Sequence, residues 1–223
     1  MCPPEAPSCR LMTMTHRIFA PHVSDIPPHP PALSGQRPLT VWLTGLSGAG
    51  KSTLADGTQR WLDELGIRSL RIDGDQLRAG LCQDLQFSSE DRHENVRRAS
   101  HVAKLLNDQG SLVLVSMISP TAFDRKTARE IVGSDRFLEI YVRANLKECR
   151  ARDPKGLYAR VQRGEITQFT GISAPYEPPQ APDLTIDTTT ASEAHCVGVL
   201  ARLVLRHCLQ GESMTLQLAA PVF

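Results

Sequence analysis

A glycine-rich octapeptide set between an apolar run and a helical pattern narrows the folds open to this chain more than any other feature. Gly45-Leu46-Ser47-Gly48-Ala49-Gly50-Lys51-Ser52 fits G-x-x-x-x-G-K-[ST] at every fixed position. The run Leu39 to Thr44 before it has strand character, and a helical periodicity follows it directly. In that setting the glycines let backbone N–H groups converge on phosphate oxygens, and the helix N-terminus adds partial positive charge. Lys51 is then expected to reach the β- and γ-phosphates and Ser52 to ligate Mg²⁺, with Thr53 completing the loop. A mere Gly/Ser turn would not call for lysine and serine at its exit.

The same alternation recurs downstream. Strands are predicted at Ser69 to Asp73, Leu112 to Ser116, Phe137 to Val142 and Leu184 to Ile186, with helices near 90–109, from 120, 145–152 and 191–209. Strand–helix alternation implies right-handed crossovers. The expected fold class is therefore α/β: a P-loop NTPase, three layers α/β/α, with a mainly parallel five-stranded sheet and a lid. The 223 residues suit one domain. Residues 1–38 are proline-rich without periodicity and read as a disordered tail, 39–210 as the P-loop domain and 211–223 as a C-terminal tail. The pattern breaks across 154–182, where glycines and prolines cluster, and that stretch reads as the lid.

Composition sets the partners aside. Lys and Arg total 25 against 24 Asp and Glu, which argues against nucleic acid or a membrane surface. The six cysteines form no CxxC pair and suit a reducing cytosol, and no apolar stretch approaches the ~18 residues of a membrane span. A soluble, cytoplasmic protein is expected. Guanine specificity would call for an N-K-x-D element, which the chain lacks, and the strand at Leu112 continues into Met117-Ile118-Ser119 instead of ending in the Asp typical of motors. A small-molecule kinase fits best.

The predicted strand ending at Asp73-Gly74-Asp75 puts carboxylates at the carboxyl edge of the sheet, where open α/β folds bind ligands. Asp73 there is suited to accept an attacking hydroxyl's proton or to help hold Mg²⁺. Asp75 reads equally well as the cap of a helix starting at Gln76.

At this point the chain resembles the adenylylsulfate (APS) kinase family. The likeness is carried by Gly45 to Thr53, Asp73-Gly74-Asp75-Gln76-Leu77-Arg78, Asp84 to Ser88, Asp91 to Arg98, Ile118-Ser119-Pro120, Arg152-Asp153-Pro154-Lys155-Gly156-Leu157-Tyr158 and Gly164 to Ile172. The resemblance implies ATP-dependent phosphorylation of the 3′-hydroxyl of adenosine 5′-phosphosulfate. It implies that Asp75, Gln76, Leu77, Arg78, Phe87, Arg92, Asn95, Ile118, Ser119, Lys155, Gln168 and Phe169 bind APS. In that assignment Arg78 and Arg92 take the phosphosulfate, and Phe87 and Phe169 sandwich the adenine. Arg152 joins the ATP side, and Lys155 stabilises transition-state charge beside Lys51 and Asp73. Ser119 matches a position labelled a phosphoserine intermediate in bacterial members, yet Ser119-Pro120 also reads as a helix N-cap with proline at N1. Direct in-line transfer is the preferred reading. The resemblance further implies a homodimer and functional coupling to ATP sulfurylase.

The chain departs from the family pattern at Gln76, Ala79, Thr121, Ala122 and Ser173, changes that bear on affinity and lid closure more than on reaction type. Two rivals remain. Another small-molecule P-loop kinase would share the phosphate loop and Asp73 but not the stacking pair with Arg92 and Asn95. A non-catalytic nucleotide-binding domain would not need Lys51, Ser52, Asp73 and Lys155 intact.

Overall fold

The computed structural model describes residues 36–209, and both tails read from the sequence lie outside them except for Gln36 to Pro38. Those three residues already belong to the folded body. Gln36 Nε2 donates to Arg68 O at 3.0 Å, and the Arg37 N–H donates to Cys208 O at 3.1 Å.

The elements alternate as expected. Strand β1 (Leu39–Thr44) is followed by helix α1 (Lys51–Glu64), β2 (Ser69–Asp73), α2 (Gly74–Arg78), α3 (Ser89–Asp108), β3 (Leu112–Ser116) and α4 (Ala122–Val132). A 3₁₀ turn at Ser134–Arg136 leads into β4 (Phe137–Arg143), α5 (Leu146–Arg152), α6 (Leu157–Gln162), β5 (Leu184–Asp187) and α7 (Glu193–Cys208). The five strands pair in the order β2-β3-β1-β4-β5, and every pairing is parallel. All the loops leaving the carboxyl ends therefore meet on one edge.

Helices cover both faces, which is why β1 and β3 are buried along their whole length and read as continuous apolar runs. Alternate side chains sort between two cores. Leu39, Val41, Leu43, Leu112, Leu114, Leu138, Ile140 and Val142 pack with α1 and α7, whereas Trp42, Val113, Val115 and Phe137 pack with α3 and α4. Trp42 and Phe137 stack at 5.7 Å.

Three local expectations are corrected. Helix α4 is capped by Thr121, not Ser119: its hydroxyl accepts from the Asp124 N–H at 3.1 Å while Asp124 Oδ2 accepts from the Thr121 N–H at 3.2 Å. This reciprocal box satisfies two helix-end donors without help from Ser119-Pro120. Thr121→Ala is expected to cost about 1 kcal/mol, seen as a fall of about 2–4 °C in Tm by scanning calorimetry. At α2 the cap is Asp73, not Asp75; its Oδ1 accepts from the Asp75 N–H at 2.9 Å. The segment 154–182 is not irregular throughout, because Leu157–Gln162 forms α6. Asp153 starts that helix by accepting from the N–H groups of Tyr158 (3.1 Å) and Ala159 (3.0 Å).

Candidate active site

The loop between β1 and α1 takes its shape from glycines at positive φ. A Cβ at Gly45 (φ 150) would sit 2.3 Å from Val142 O, and one at Gly48 (φ 76) 2.9 Å from Cys149 O. Gly50 (φ 97) is the N-cap of α1 and supplies no side-chain acceptor, so the first turn presents its N–H groups outward. Lys51 opens that helix and curls over the loop, donating to Gly45 O and Leu46 O, both at 2.8 Å. Burial, reinforced by the nearby charge of Lys155, lowers its pKa to about 8.

Ser52, one residue on, donates to Asp73 Oδ2 at 2.7 Å. The loop and the carboxyl end of β2 are thereby locked together. Asp73 carries two bonds, from the Asp75 N–H and the Ser52 hydroxyl, that fix the carboxylate in one orientation. Its neighbour Asp75 pairs with Lys155, which reaches across from the lid.

Above this edge lies one cavity of about 1250 Å³. It is lined by Ser47, Gly48, Gly50, Lys51, Ser52 and Thr53 on one side and by Arg78, Phe87, Arg92, Asn95, Ile118 and Ser119 on the other. Asp73, Asp75, Arg152, Lys155, Gln168 and Phe169 also line it. Gly45, Leu46, Ala49, Gln76 and Leu77, expected in the site from the sequence, are not on its wall. Gly45 and Ala49 shape the loop from beneath, and Leu46 packs against the lid near Gly171. Gln76 is exposed, and Leu77 packs on the core under α3.

The far wall is cationic and aromatic. The Phe87 ring is 53% exposed and lies under the guanidiniums of Arg78 (4.7 Å) and Arg92 (5.6 Å). Phe169 is buried edge-on to Tyr158 at 4.9 Å. Arg78 donates to Leu85 O (3.2 Å) and Gln86 O (2.6 Å). Arg92 donates to Phe87 O (3.0 Å), Thr170 Oγ1 (2.8 Å) and Gln168 O (2.8 Å). Both spend donors on uncharged oxygens, and burial pulls both guanidinium pKa values down, with Arg78 adding to the effect at Arg92. Two neighbouring cations without carboxylate partners among the described residues favour an anion beside them. Asn95, on the next turn of α3, keeps a buried Oδ1 without a hydrogen-bond partner among the described residues. A buried orphan acceptor on a cavity wall is costly unless a ligand satisfies it.

Ser119 is 2% exposed at φ 41, its hydroxyl accepting from Trp42 Nε1 at 3.0 Å. Arg152 bridges α5 to the loop, donating to Thr188 O (2.7 Å), Thr188 Oγ1 (3.0 Å) and Gly48 O (3.5 Å), and also pairs with Glu148 at 3.1 Å.

Several contributors were not singled out from the sequence. Thr188 follows β5 and donates to Ala49 O at 2.9 Å, and the Tyr158 hydroxyl donates to Ser47 O at 2.9 Å, tying the lid helix to the loop. Thr170 receives Arg92. For Thr188 the available signal was its place at the end of a strand in a parallel sheet. Ser173 organises the lid turn by donating to Thr167 O (2.7 Å) and accepting from the Phe169 N–H (2.9 Å).

Comparison with known proteins gives consistent matches. A family model described as adenylylsulphate kinase matches residues 37–187. An adenylyl-sulfate kinase of Pseudomonas entomophila is 46% identical over 168 residues, covering 75% of this chain and 81% of the relative. One of Shewanella pealeana is 50% identical over 166 residues, covering 74% and 81%. Among solved structures, the Mycobacterium tuberculosis APS kinase in complex with AMPPNP and APS matches with a TM-score of 0.71 and 48% identity, covering 75% of this chain and 98% of that one.

Proposed function

Because the chain belongs to the adenylylsulfate kinase family, we propose that its large cavity takes both substrates, ATP on the glycine loop and APS on the opposite wall. The reaction is transfer of the γ-phosphoryl group of ATP to the 3′-hydroxyl of APS, giving 3′-phosphoadenylylsulfate and ADP in sulfate assimilation. The observation that carries the two-sided reading is the continuity of the cavity. At about 1250 Å³ it exceeds the ~300–1,000 Å³ usual for one small ligand, and it joins Lys51 and Asp73 to Phe87, Arg92 and Asn95 without a partition.

In this assignment the N–H groups of the loop and Lys51 hold the β- and γ-phosphates, and Arg152 with Thr188 braces the loop from the side. Phe87 and Phe169 flank the acceptor's adenine, Arg78 and Arg92 face its phosphosulfate, and the orphan Oδ1 of Asn95 takes a hydrogen bond from a hydroxyl or amino group of APS. Asp73 stands between the two halves and accepts the proton of the attacking hydroxyl. Lys155 releases Asp75 to meet the transferring phosphoryl group, whose loose transition state needs positioning and charge more than covalent help. Transfer is direct and in line; Ser119, whose hydroxyl is held by Trp42, serves as pocket wall.

The donor set also fits Mg²⁺. A hydroxyl and a carboxylate oxygen 2.7 Å apart at Ser52 and Asp73 are hard ligands of the kind that supplement substrate phosphates and water around this ion. Bound there with ATP, Mg²⁺ would neutralise charge on the β- and γ-phosphates. The family further suggests a homodimer working with ATP sulfurylase, the first checked by analytical ultracentrifugation. Among the described residues four buried free thiols, Cys82, Cys149, Cys196 and Cys208, suit a cytoplasmic setting, and no helix there is long and apolar enough to cross a membrane.

The direct test is incubation of purified protein with MgATP and APS. APS-dependent ADP release with 3′-phosphoadenylylsulfate as product is expected. Phosphorylation of gluconate or shikimate with APS left untouched would reject the reading. A second test reads Lys51. Its pKa of about 8 leaves it largely neutral at pH 9, and triphosphate placed against it raises that value. ATP binding at pH 9 is therefore expected to take up a proton, and at pH 6.5 none at this site, measured by calorimetry in buffers of different ionisation enthalpy.

A further inference from the structure

Three consecutive carbonyl groups on the cavity wall after β3 are each gripped from behind by a different element. Thr44 Oγ1 donates to Ile118 O at 2.6 Å and lies at a longer 3.5 Å from Ser119 O, Arg125 Nη1 donates to Ser119 O at 3.0 Å, and the Glu177 N–H to Pro120 O at 2.8 Å. Trp42 Nε1 holds the Ser119 hydroxyl as well. Between these grips Ser119 sits at φ 41, a conformation that a non-glycine residue keeps only when its surroundings over-determine it.

Arg125 is the unexpected member of this set. Its side chain is 4% exposed under α4, and its carboxylate partner is Glu139, 2.8 Å away and itself 13% exposed. Burying an ion pair at a helix–sheet contact seldom improves on two apolar side chains. What apolar side chains could not supply is a donor directed at Ser119 O. The guanidinium provides it because its planar fork bonds Glu139 through Nε and Ser119 through Nη1. Glu139 is fixed in turn, its N–H donating to Asp183 Oδ2 at 2.7 Å and its second oxygen lying 3.7 Å from Arg129.

We propose that Arg125, oriented by Glu139, is the positioning residue of the acceptor pocket, holding Ser119 in its left-handed conformation so that the Ile118–Ser119 wall is set for APS before substrate arrives. The inference rests on the assignment of this wall to APS. It adds to the reaction a residue that touches neither substrate and is not on the cavity wall.

The test is a pair of variants read by steady-state kinetics against both substrates. Arg125→Met combined with Glu139→Met removes both charges together, so neither is left buried without its partner. Its KM for APS is expected to rise about tenfold, the loss of one hydrogen bond from a charged donor, while its KM for ATP stays within about twofold. Arg125→Lys keeps a charge opposite Glu139 but loses the fork, and the same split is expected; it decides the matter if the double variant fails to fold. A folded variant with KM for APS unchanged overturns the positioning role and leaves the wall's assignment standing. A rise confined to KM for ATP overturns both, because the wall would then serve the nucleotide side.

Discussion

Asp73→Asn is expected to lower kcat by about 10²–10⁴-fold, with thermal stability close to that of the parent. The separation follows from what the side chain does in the fold. Asp73 caps α2 through the Asp75 N–H and accepts the Ser52 hydroxyl. Asparagine is as good an N-cap as aspartate, and its amide oxygen can keep one of those bonds. What it cannot do is either task proposed for the aspartate, taking a proton from the attacking 3′-hydroxyl or presenting a negative oxygen to Mg²⁺. Asp73→Ala would confound the measurement by removing the cap, at about 1 kcal/mol. Single-turnover kinetics with saturating ATP and APS, beside a melting curve, make the comparison. A variant that kept more than about half the parental kcat would remove Asp73 from the chemistry.

Lys51→Met is expected to lower kcat/KM by about 10²–10³-fold, the cost of deleting one directed donor at developing charge, and yet to leave the protein at least as stable before ATP is added. The second half of this expectation is the more diagnostic. Lysine in the unfolded chain titrates near its ordinary value, whereas Lys51 in the fold titrates at about 8, chiefly because burial disfavours its charge. A cation whose folded pKa is lowered destabilises the fold throughout the range below that pKa, where both states are charged, and the penalty fades as pH rises from about 8 towards the unfolded value. Methionine preserves length and helix propensity at the first position of α1 without that penalty. Thermal unfolding at pH 7 should therefore show an unchanged or higher midpoint in a variant that has lost its activity. A clear fall in Tm would mean that the bonds from Lys51 to Gly45 O and Leu46 O hold the loop together.

The two variants probe opposite sides of one arrangement. Lys51 is held over the loop at an energetic cost, and Asp73 is held by bonds that also build the fold. Strained or desolvated groups at a site persist because the rest of the structure supports them. Here the support is visible in the buried strands β1 and β3, whose carboxyl ends carry the loop and the Ser119 wall.

By itself the sequence determined the alternation of strands and helices apart from α6, the parallel sheet, the position of the phosphate loop and the placing of Asp73 at a strand end. Those features are encoded locally, in apolar runs of strand length, in helical spacing, and in glycines whose backbone angles no other residue adopts without strain. The reaction was legible too, through motif blocks spread along the chain. Tertiary structure alone decided how those blocks meet. Arg92 donates to Gln168 O across 76 residues of sequence, Tyr158 to Ser47 O across 111, and Arg152 to Thr188 O across 36. It also gave Asp73 the cap that local pattern offered to Asp75, moved the α4 cap from Ser119 to Thr121, and placed Gln76 and Leu77 off the cavity wall. A cap is settled by which oxygen the folded backbone brings within reach of a free N–H, and a wall residue by which side of a helix packs on the core. Neither can be read until distant segments have come together, because each depends on atoms that the local sequence does not contain.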